Sequence, residues 1–160
     1  MRLVHSSALP IRRYRPAYPA AQLRKPDFDI TLFSMETVQQ QNLVVVVVDD
    51  EESVREAVSR LLRAAGLTAR AFASAEDFLI SGLLNTTGCV IADIRMPGMS
   101  GLDLLAQLNA GHCPIPTILI TAHGDETLRM RAMRAGAVKF LAKPIDGETL
   151  LASVHAAMQA

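Results

Sequence analysis

Five polar residues from four separate places along this chain could act together on a metal ion and a phosphate group. They are Asp49, Asp50, Asp93, Thr121 and Lys143. Three carboxylates and a hydroxyl favour a small, hard cation such as Mg²⁺, which keeps several waters and takes only one or two carboxylates directly. A lysine supplies fixed positive charge against an incoming phosphoryl group, and one carboxylate could accept that group covalently. This chemistry requires the five residues to meet in the fold.

The segments that precede these residues can bring them together. Asp49 and Asp50 follow five consecutive valines, which predict a strand buried on both faces, as in a parallel sheet with helices on each side. Further short apolar strands end at Asp93, Thr121 and Lys143. Because parallel strands place their C-terminal ends on one edge of the sheet, these side chains can converge there. Two adjacent carboxylates at that edge are unfavourable unless a cation offsets their repulsion.

Strand and helix patterns alternate from Leu43 onward. Residues 89–92, for example, form an apolar strand that ends at Asp93, and Ser100 then opens a helix. Five strand–helix pairs with short connections predict an α/β fold with a doubly wound, five-stranded parallel sheet and helices on both faces. The fifth strand contains Phe140 and ends at Lys143.

Residues 1–42 differ in composition from the rest of the chain. They contain four prolines, six basic and three acidic residues, and no hydrophobic period. We expect a disordered basic leader, or a start codon assigned too far upstream with Met35 as the true first residue. A basic arm that binds a partner is the alternative. Residues 43–159 are expected to form the folded domain.

Composition argues against several other classes of protein. The net formal charge is zero, so the chain beyond the basic leader is mildly acidic and offers no electrostatic basis for binding nucleic acid directly. No apolar stretch approaches the roughly 20 residues that span a bilayer, and no secretory signal is visible. Cys89 and Cys113 lack metal-ligand spacing, which favours a reduced, cytoplasmic setting.

Taken together, the motifs resemble the signature of the response-regulator receiver domain of two-component signalling, which has the flavodoxin-like fold of CheY. The order and spacing of that signature are matched by Asp49-Asp50, by Asp93 with the following Ile94-Arg95-Met96-Pro97-Gly98-Met99-Ser100-Gly101, by Thr121 and by Lys143-Pro144. Residues 120–125 and 135–138 most resemble the FixJ-type regulators. The resemblance covers about residues 43–158.

This resemblance implies roles around the acidic cluster. Asp93 would be the phosphoacceptor. Mg²⁺ would be bound by Asp93, by Asp50 directly, by Asp49 through water and by the backbone carbonyl of Arg95. The side chains of Arg95 and His123 would flank the site and affect the lifetime of the phosphoryl group.

The resemblance also implies a switch. Lys143 and Thr121 would contact the phosphoryl group, and Thr121 would pair with Phe140. As the hydroxyl moves toward the phosphate, the aromatic ring would turn inward and reshape the surface of the fourth helix and fifth strand. The peptide bond before Pro144 would be cis, as in the family.

A non-enzymatic signalling role follows from the resemblance. The phosphoryl donor would be a sensor histidine kinase or a histidine phosphotransfer protein. Output would pass to a protein target, or to a second copy of the chain, through the fourth helix, fifth strand and fifth helix. We expect a stand-alone receiver with no DNA-binding output domain.

Other functions compete with this prediction. A phosphate-sink receiver and a truncated FixJ-type transcription regulator remain alternatives within the family. A haloacid-dehalogenase-like phosphohydrolase is more distant, because it would need an Asp-x-Asp motif after the first strand and a cap insertion. A dinucleotide-binding module would need Gly-x-Gly-x-x-Gly after that strand, and the sequence contains none there.

Overall fold

Five parallel strands form the sheet in the order β2-β1-β3-β4-β5 in the computed structural model, which describes residues 43–112 and 114–160. The strands are β1 (Val44–Val48), β2 (Thr68–Phe72), β3 (Thr87–Asp93), β4 (Thr117–Thr121) and β5 (Lys139–Ala142). The helices are α1 (Glu52–Ala64), α2 (Ala75–Ile80), α3 (Gly101–Ala110), α4 (Glu126–Arg134) and α5 (Gly147–Gln159). The predicted leader and Cys113 lie outside the described residues.

This strand order confirms the predicted doubly wound sheet. The chain runs from β1 outward to β2 and then returns to the other side of β1 to form β3, and all four strand pairs are parallel. The carboxyl ends of β1 and β3 therefore flank the point where the direction of winding reverses. Open α/β sheets bind their ligands in the crevice at this point.

The valine run is buried on both faces of the sheet, as predicted. Val44, Val46 and Val48 pack in one core with residues of α2, α3 and α4, whereas Val45 and Val47 pack in a second core with residues of α1 and α5. Burial of one such side chain is worth about 1.5–3 kcal/mol relative to its exposure. The two cores hold β1 rigidly, and with it the acidic pair that follows.

Side-chain caps begin α3, α4 and α5 at the carboxyl edge of the sheet, whereas α1 has no side-chain cap. At α3 the caps are reciprocal: Ser100 Oγ accepts from the Asp103 N–H at 3.1 Å, and Asp103 Oδ2 accepts from the Ser100 N–H at 3.1 Å. Asp125 and Asp146 cap α4 and α5 in the simpler one-way manner. These bonds satisfy amide groups that the first helical turn leaves free.

Among residues 43–112 and 114–160, none of the helices combines the length and apolar character that crossing a bilayer requires.

Candidate functional site

The carboxyl edge of the sheet gathers the predicted acidic residues. Carboxylate oxygens of Asp49, Asp50 and Asp93 lie within 4.8 Å of one another. Asp49 and Asp93 are buried, whereas Asp50 is exposed. Lys143 reaches the same place from β5, and its Nζ lies 3.0 Å from Asp49 Oδ2 and 3.0 Å from Asp93 Oδ2. Residues from the ends of three strands thus form one cluster.

Backbone pairing continues beyond the last residues of the strands and fixes the cluster. The Ile94 N–H donates to the Ile120 carbonyl at 2.9 Å, which holds the chain directly after Asp93. The Lys143 N–H donates to the Thr121 carbonyl at 2.8 Å. The lysine therefore enters the site by extension of the β4–β5 ladder, and its position does not depend on a flexible loop.

Two glycines shape the loop that follows Asp93. A Cβ on Gly101 would collide with the Asp93 backbone carbonyl, so α3 can begin directly against the backbone of that aspartate only at a glycine. Gly98 has a φ of +75°, and a Cβ there would lie 2.6 Å from Glu76 Oε1. That Glu76 oxygen also accepts from the Met99 N–H at 2.9 Å, which ties the loop to α2.

Lys143 is surrounded by carboxylates. A third one, Glu51 Oε1, lies 3.0 Å from its Nζ. Burial alone would lower the pKa of Lys143, but its contacts with the carboxylates of Asp93, Asp49 and Glu51 outweigh burial and raise that pKa above the ordinary value. The ammonium is therefore charged across the physiological pH range. It offers a permanent positive charge to an oxyanion placed next to Asp93.

The electrostatics of Asp49 indicate an incomplete set of partners. Burial raises the pKa of this carboxyl, the negative charge of Asp93 adds to the increase, and the hydrogen bond from the Glu51 N–H and the nearby Lys143 ammonium oppose it. Asp49 Oδ2 has no hydrogen-bond partner of acceptable geometry among the described residues, although the Lys143 ammonium lies at 3.0 Å. A buried oxygen with spare acceptor capacity, beside two further carboxylates, fits a hard divalent cation.

Arg95 and His123 contact residues of the site through their backbone N–H groups. The Arg95 N–H donates to Asp93 Oδ1 at 3.1 Å, which holds the Asp93 carboxylate against the β3–α3 loop. The His123 N–H donates to the Thr121 hydroxyl at 3.3 Å. The fully buried Thr121 hydroxyl is therefore bonded to its own loop.

Phe140 packs closely on the β4–α4 loop. Its half-buried ring contacts the core shared by α2, α3 and α4. A Cβ on Gly124 would lie 2.8 Å from two carbon atoms of the Phe140 ring and 3.1 Å from Thr121 Cγ2. The absence of a side chain at Gly124 thus makes room for the ring.

The peptide bond between Lys143 and Pro144 is cis.

Three residues of this region were missed by reasoning from the sequence. Glu51 contacts Lys143, Gly124 supports Phe140, and Arg55 Nη1 donates to the backbone carbonyls of Asp49 at 2.7 Å and Asp50 at 3.0 Å. A signal existed for Glu51, an acidic residue next to the carboxylate pair. For Arg55 the only signal was its place one helical turn after Glu51.

Comparison with known proteins shows the family to which the chain belongs. A family model described as the response regulator receiver domain matches residues 45–155. The chain belongs to this family. It is 43% identical over 110 residues to the transcriptional regulatory protein FixJ of Azorhizobium caulinodans, a match that covers 69% of this chain and 52% of that protein. It is 44% identical over 111 residues to the response regulator protein TodT of Pseudomonas putida, covering 69% of this chain and 49% of that one.

Solved structures agree with this assignment. The response regulator StyR superposes with a TM-score of 0.69 at 45% identity, covering 74% of this receiver chain and 60% of that one. The structure described as FixJ-N gives a TM-score of 0.66 at 37% identity and covers 73% and 94% of the two chains. The chemotaxis protein CheY4 of Vibrio cholerae, at 26% identity and a TM-score of 0.66, shares the flavodoxin-like fold.

This receiver is thus of the FixJ type and belongs to a response regulator of two-component signalling. An aspartate that is phosphorylated and Mg²⁺ bound at an acidic cluster are typical of the family, whose members interact with histidine kinases. Response regulators are generally not enzymes. The chain spans about half the length of the curated relatives that it matches.

Proposed function

We propose that Asp93 is the phosphoacceptor of a phosphorylation-dependent switch formed by residues 43–159. The observation that carries this proposal is the position of the Lys143 ammonium, 3.0 Å from both Asp93 and Asp49 within a cluster of three aspartates. Asp93 has partners on both sides: the acidic pair after β1 on one side, and Thr121 after β4 on the other. Residues 1–42 are proposed to be a leader that the switch does not require.

The proposed transfer needs little from the protein beyond placement and charge. A carboxylate oxygen of Asp93 attacks the phosphorus of a phosphohistidine on a sensor kinase or a histidine phosphotransfer protein. A new P–O bond forms, the P–N bond breaks, and the departing imidazole takes up a proton. Lys143 contacts a phosphoryl oxygen. The product is an acyl phosphate on Asp93.

Mg²⁺ is the proposed cofactor of this step. Asp49, Asp50, Asp93 and the backbone carbonyl of Arg95 would hold it. When bound, it would neutralise charge that develops on the phosphoryl oxygens. The buried Asp49 Oδ2 contacts the Lys143 ammonium but accepts no well-formed hydrogen bond among the described residues, which supports this assignment.

Phosphorylation is proposed to change the surface through Thr121 and Phe140. The Thr121 hydroxyl would leave the His123 N–H and donate to a phosphoryl oxygen. Phe140 would then turn into the space that the hydroxyl vacates. The side chains of Arg95 and His123, which follow Asp93 and Thr121 by two residues each, would tune how long the acyl phosphate survives.

The proposed output surface is formed by α4, β5 and α5. Three large apolar residues are exposed on or next to it: Met130 at 44%, Met133 at 42% and Val138 at 45%. Methionine side chains adapt well to irregular protein partners. We propose that this surface binds a downstream protein, or a second copy of the chain, more tightly when Asp93 is phosphorylated.

The phosphoacceptor assignment is tested with a small phosphodonor. The wild-type protein should incorporate phosphate from acetyl phosphate in the presence of Mg²⁺, and Asp93→Asn should not. Asp77→Asn, on α2, is the matched control and should incorporate phosphate like the wild type. Incorporation by Asp93→Asn, or incorporation that survives chelation of Mg²⁺, would contradict the proposal.

The output surface is tested by amide chemical-shift mapping with beryllofluoride, which mimics the phosphoryl group. Shifts should extend from the loops around Asp93 to α4 and β5. Thr121→Ala and Phe140→Ala should each weaken the coupling to a bound partner, which we expect at the usual size of about 1–3 kcal/mol. Shifts confined to the loops around Asp93 would instead identify a phosphate sink.

A further inference from the structure

Arg55 connects α1 to the loop that carries the acidic pair. Its Nη1 donates to the Asp49 carbonyl at 2.7 Å and to the Asp50 carbonyl at 3.0 Å. The side chain is half-buried against this loop. One guanidinium nitrogen thus holds the carbonyl groups of two successive peptide units.

The second of these peptide units is held at both ends. Its carbonyl, on Asp50, accepts from Arg55, and its N–H, on Glu51, donates to Asp49 Oδ1 at 2.9 Å. Because a peptide unit is planar, two such contacts fix its orientation. The peptide units on either side of the Asp50 Cα are then both fixed, and this sets the direction of the Asp50 Cβ.

The Asp50 side chain depends on this backbone support. Within the described residues its carboxylate accepts no hydrogen bond, although one of its oxygens lies within 4.8 Å of oxygens of Asp49 and Asp93. Arg55 also bonds only to carbonyl oxygens here, so it brings positive charge to the loop without occupying the carboxylate oxygens that a metal would use. Lys143, by contrast, contacts the carboxylates themselves.

We propose that Arg55 is a positioning residue for Mg²⁺, acting through the backbone of Asp49 and Asp50. This inference rests on the metal site assigned under the proposed function. The planar guanidinium, whose Nη1 donates to both carbonyls, holds the loop in a binding geometry before the ion arrives. Supporting residues of this kind typically change metal affinity by about 10–100-fold when they are removed.

The test is calorimetric titration of the full chain with MgCl₂. Arg55→Met should raise the dissociation constant of Mg²⁺ by about 10-fold. Arg55→Lys keeps the charge on a shorter side chain whose donors point in different directions, and it should recover only part of the affinity. Arg60→Met is the matched control, because it removes one positive charge from the same helix at a residue with no hydrogen bond or ion pair among the described residues. Its dissociation constant should change by less than about twofold.

Two further readouts separate positioning from general destabilisation. The amide resonances of Asp50 and Glu51 should move in Arg55→Met, while those of β4 and β5 stay in place. Phosphorylation by acetyl phosphate should need more Mg²⁺ for half its maximal rate and still approach the wild-type rate at saturating Mg²⁺. A lowered rate at every Mg²⁺ concentration would overturn the inference.

Asp50→Asn distinguishes the two proposals. If Asp50→Asn loses Mg²⁺ binding while Arg55→Met binds like the wild type, the positioning role is wrong and the proposed function stands. If Asp50→Asn itself binds Mg²⁺ normally, the proposed metal site is wrong. An equal loss of affinity in Arg55→Met and Arg60→Met would show an effect of charge alone and would also overturn the positioning role. Arg55→Lys keeps the test valid if Arg55→Met folds poorly.

Discussion

Lys143 is the residue on which the charge balance of the site depends. Its side chain is only 12% exposed and contacts the carboxylates of Asp49, Asp93 and Glu51. Removing one partner of a buried ion pair leaves an uncompensated charge. Lys143→Met should therefore lower the free energy of unfolding by about 3 kcal/mol in Mg²⁺-free buffer. Urea unfolding followed by circular dichroism measures this change.

Added Mg²⁺ should recover part of that loss, because an ion bound to the native acidic cluster stabilises the folded state. Lys139→Met, at an exposed position of the same strand, is the control and should change stability by less than about 0.5 kcal/mol. The interpretation fails if Mg²⁺ stabilises Lys143→Met no more than it stabilises the wild type.

The residues themselves show how far the sequence could lead. Asp49, Asp50 and Asp93 could be predicted to converge because strand ends have a fixed place in a parallel sheet. The part played by Glu51 could not, because its contact with Lys143 spans 92 residues and depends on two flexible side chains. Arg55 was equally hidden, since it binds backbone carbonyls, which no sequence pattern marks.

The β4–α4 loop lies against Phe140 and would couple the proposed phosphorylation site to it. Because a Cβ on Gly124 would lie 2.8 Å from the Phe140 ring, Gly124→Ala should displace the ring from its present position. Overpacking of this kind typically costs about 1–3 kcal/mol. We expect unphosphorylated Gly124→Ala to show part of the chemical-shift change in α4 and β5 that beryllofluoride produces in the wild type.

Gly111→Ala is the control for this change. It adds the same methyl group at the end of α3, where the nearest atom would be the Gln107 carbonyl oxygen at 3.4 Å and the φ is −75°. Its spectrum should change only locally. Unchanged ring resonances of Phe140 in Gly124→Ala would mean that the loop yields and the ring does not.

The stability that the capped start of α3 contributes to the fold depends on pH. Hydrogen bonds from the Ser100 hydroxyl and N–H lower the pKa of Asp103 below its ordinary value of 3.8. A depressed pKa in the folded state stabilises the fold above the unfolded-state pKa, and this stabilisation is lost as the pH falls through the folded-state pKa. Asp103→Asn should therefore melt below the wild type at pH 7.

The difference in melting temperature between the two proteins should shrink as the pH falls below about 4. Asp77→Asn, on the exposed face of α2, is the control and should follow the wild type at neutral pH. A difference for Asp103→Asn that persisted undiminished at low pH would show that ionisation of Asp103 is not its cause.

The ends of helices and strands could be predicted well where the apolar pattern of the sequence was strong and less well where it was weak. The buried valines of β1 identified that strand, whereas β3 begins at Thr87, two residues before the predicted start at Cys89. A turn of 3₁₀-helix, Leu84–Thr86, leads directly into β3. The start of β3 was hard to predict because the strand begins with a polar residue. The Thr87 hydroxyl donates to the Leu83 carbonyl at 2.7 Å, which packs the start of the strand against the 3₁₀ turn.

At the scale of the whole molecule, the leader should be separable from the switch. Residues 1–34 contain no periodic apolar face that could dock on the folded domain. A chain that starts at Met35 should melt and accept phosphate like the full chain. A loss of more than about 1 kcal/mol would mean that the leader packs against the domain. A chain that starts at Val48 lacks nearly all of β1 and should not fold, because that strand pairs with both β2 and β3.

The strand order separates Asp93, the proposed phosphoacceptor, from Phe140, the proposed switch residue. Asp93 ends β3, which is hydrogen-bonded to a strand on each side, whereas Phe140 lies on β5, which pairs within the described sheet only with β4. Detaching β5 from the sheet breaks the hydrogen bonds to one neighbouring strand, whereas detaching β3 breaks those to two. The amide hydrogen of Ile91 should therefore exchange with solvent only through global unfolding, while that of Phe140 exchanges through local opening. Phosphorylation should change the exchange rate of the Phe140 amide. Exchange of the Ile91 amide should stay limited by the stability of the whole domain.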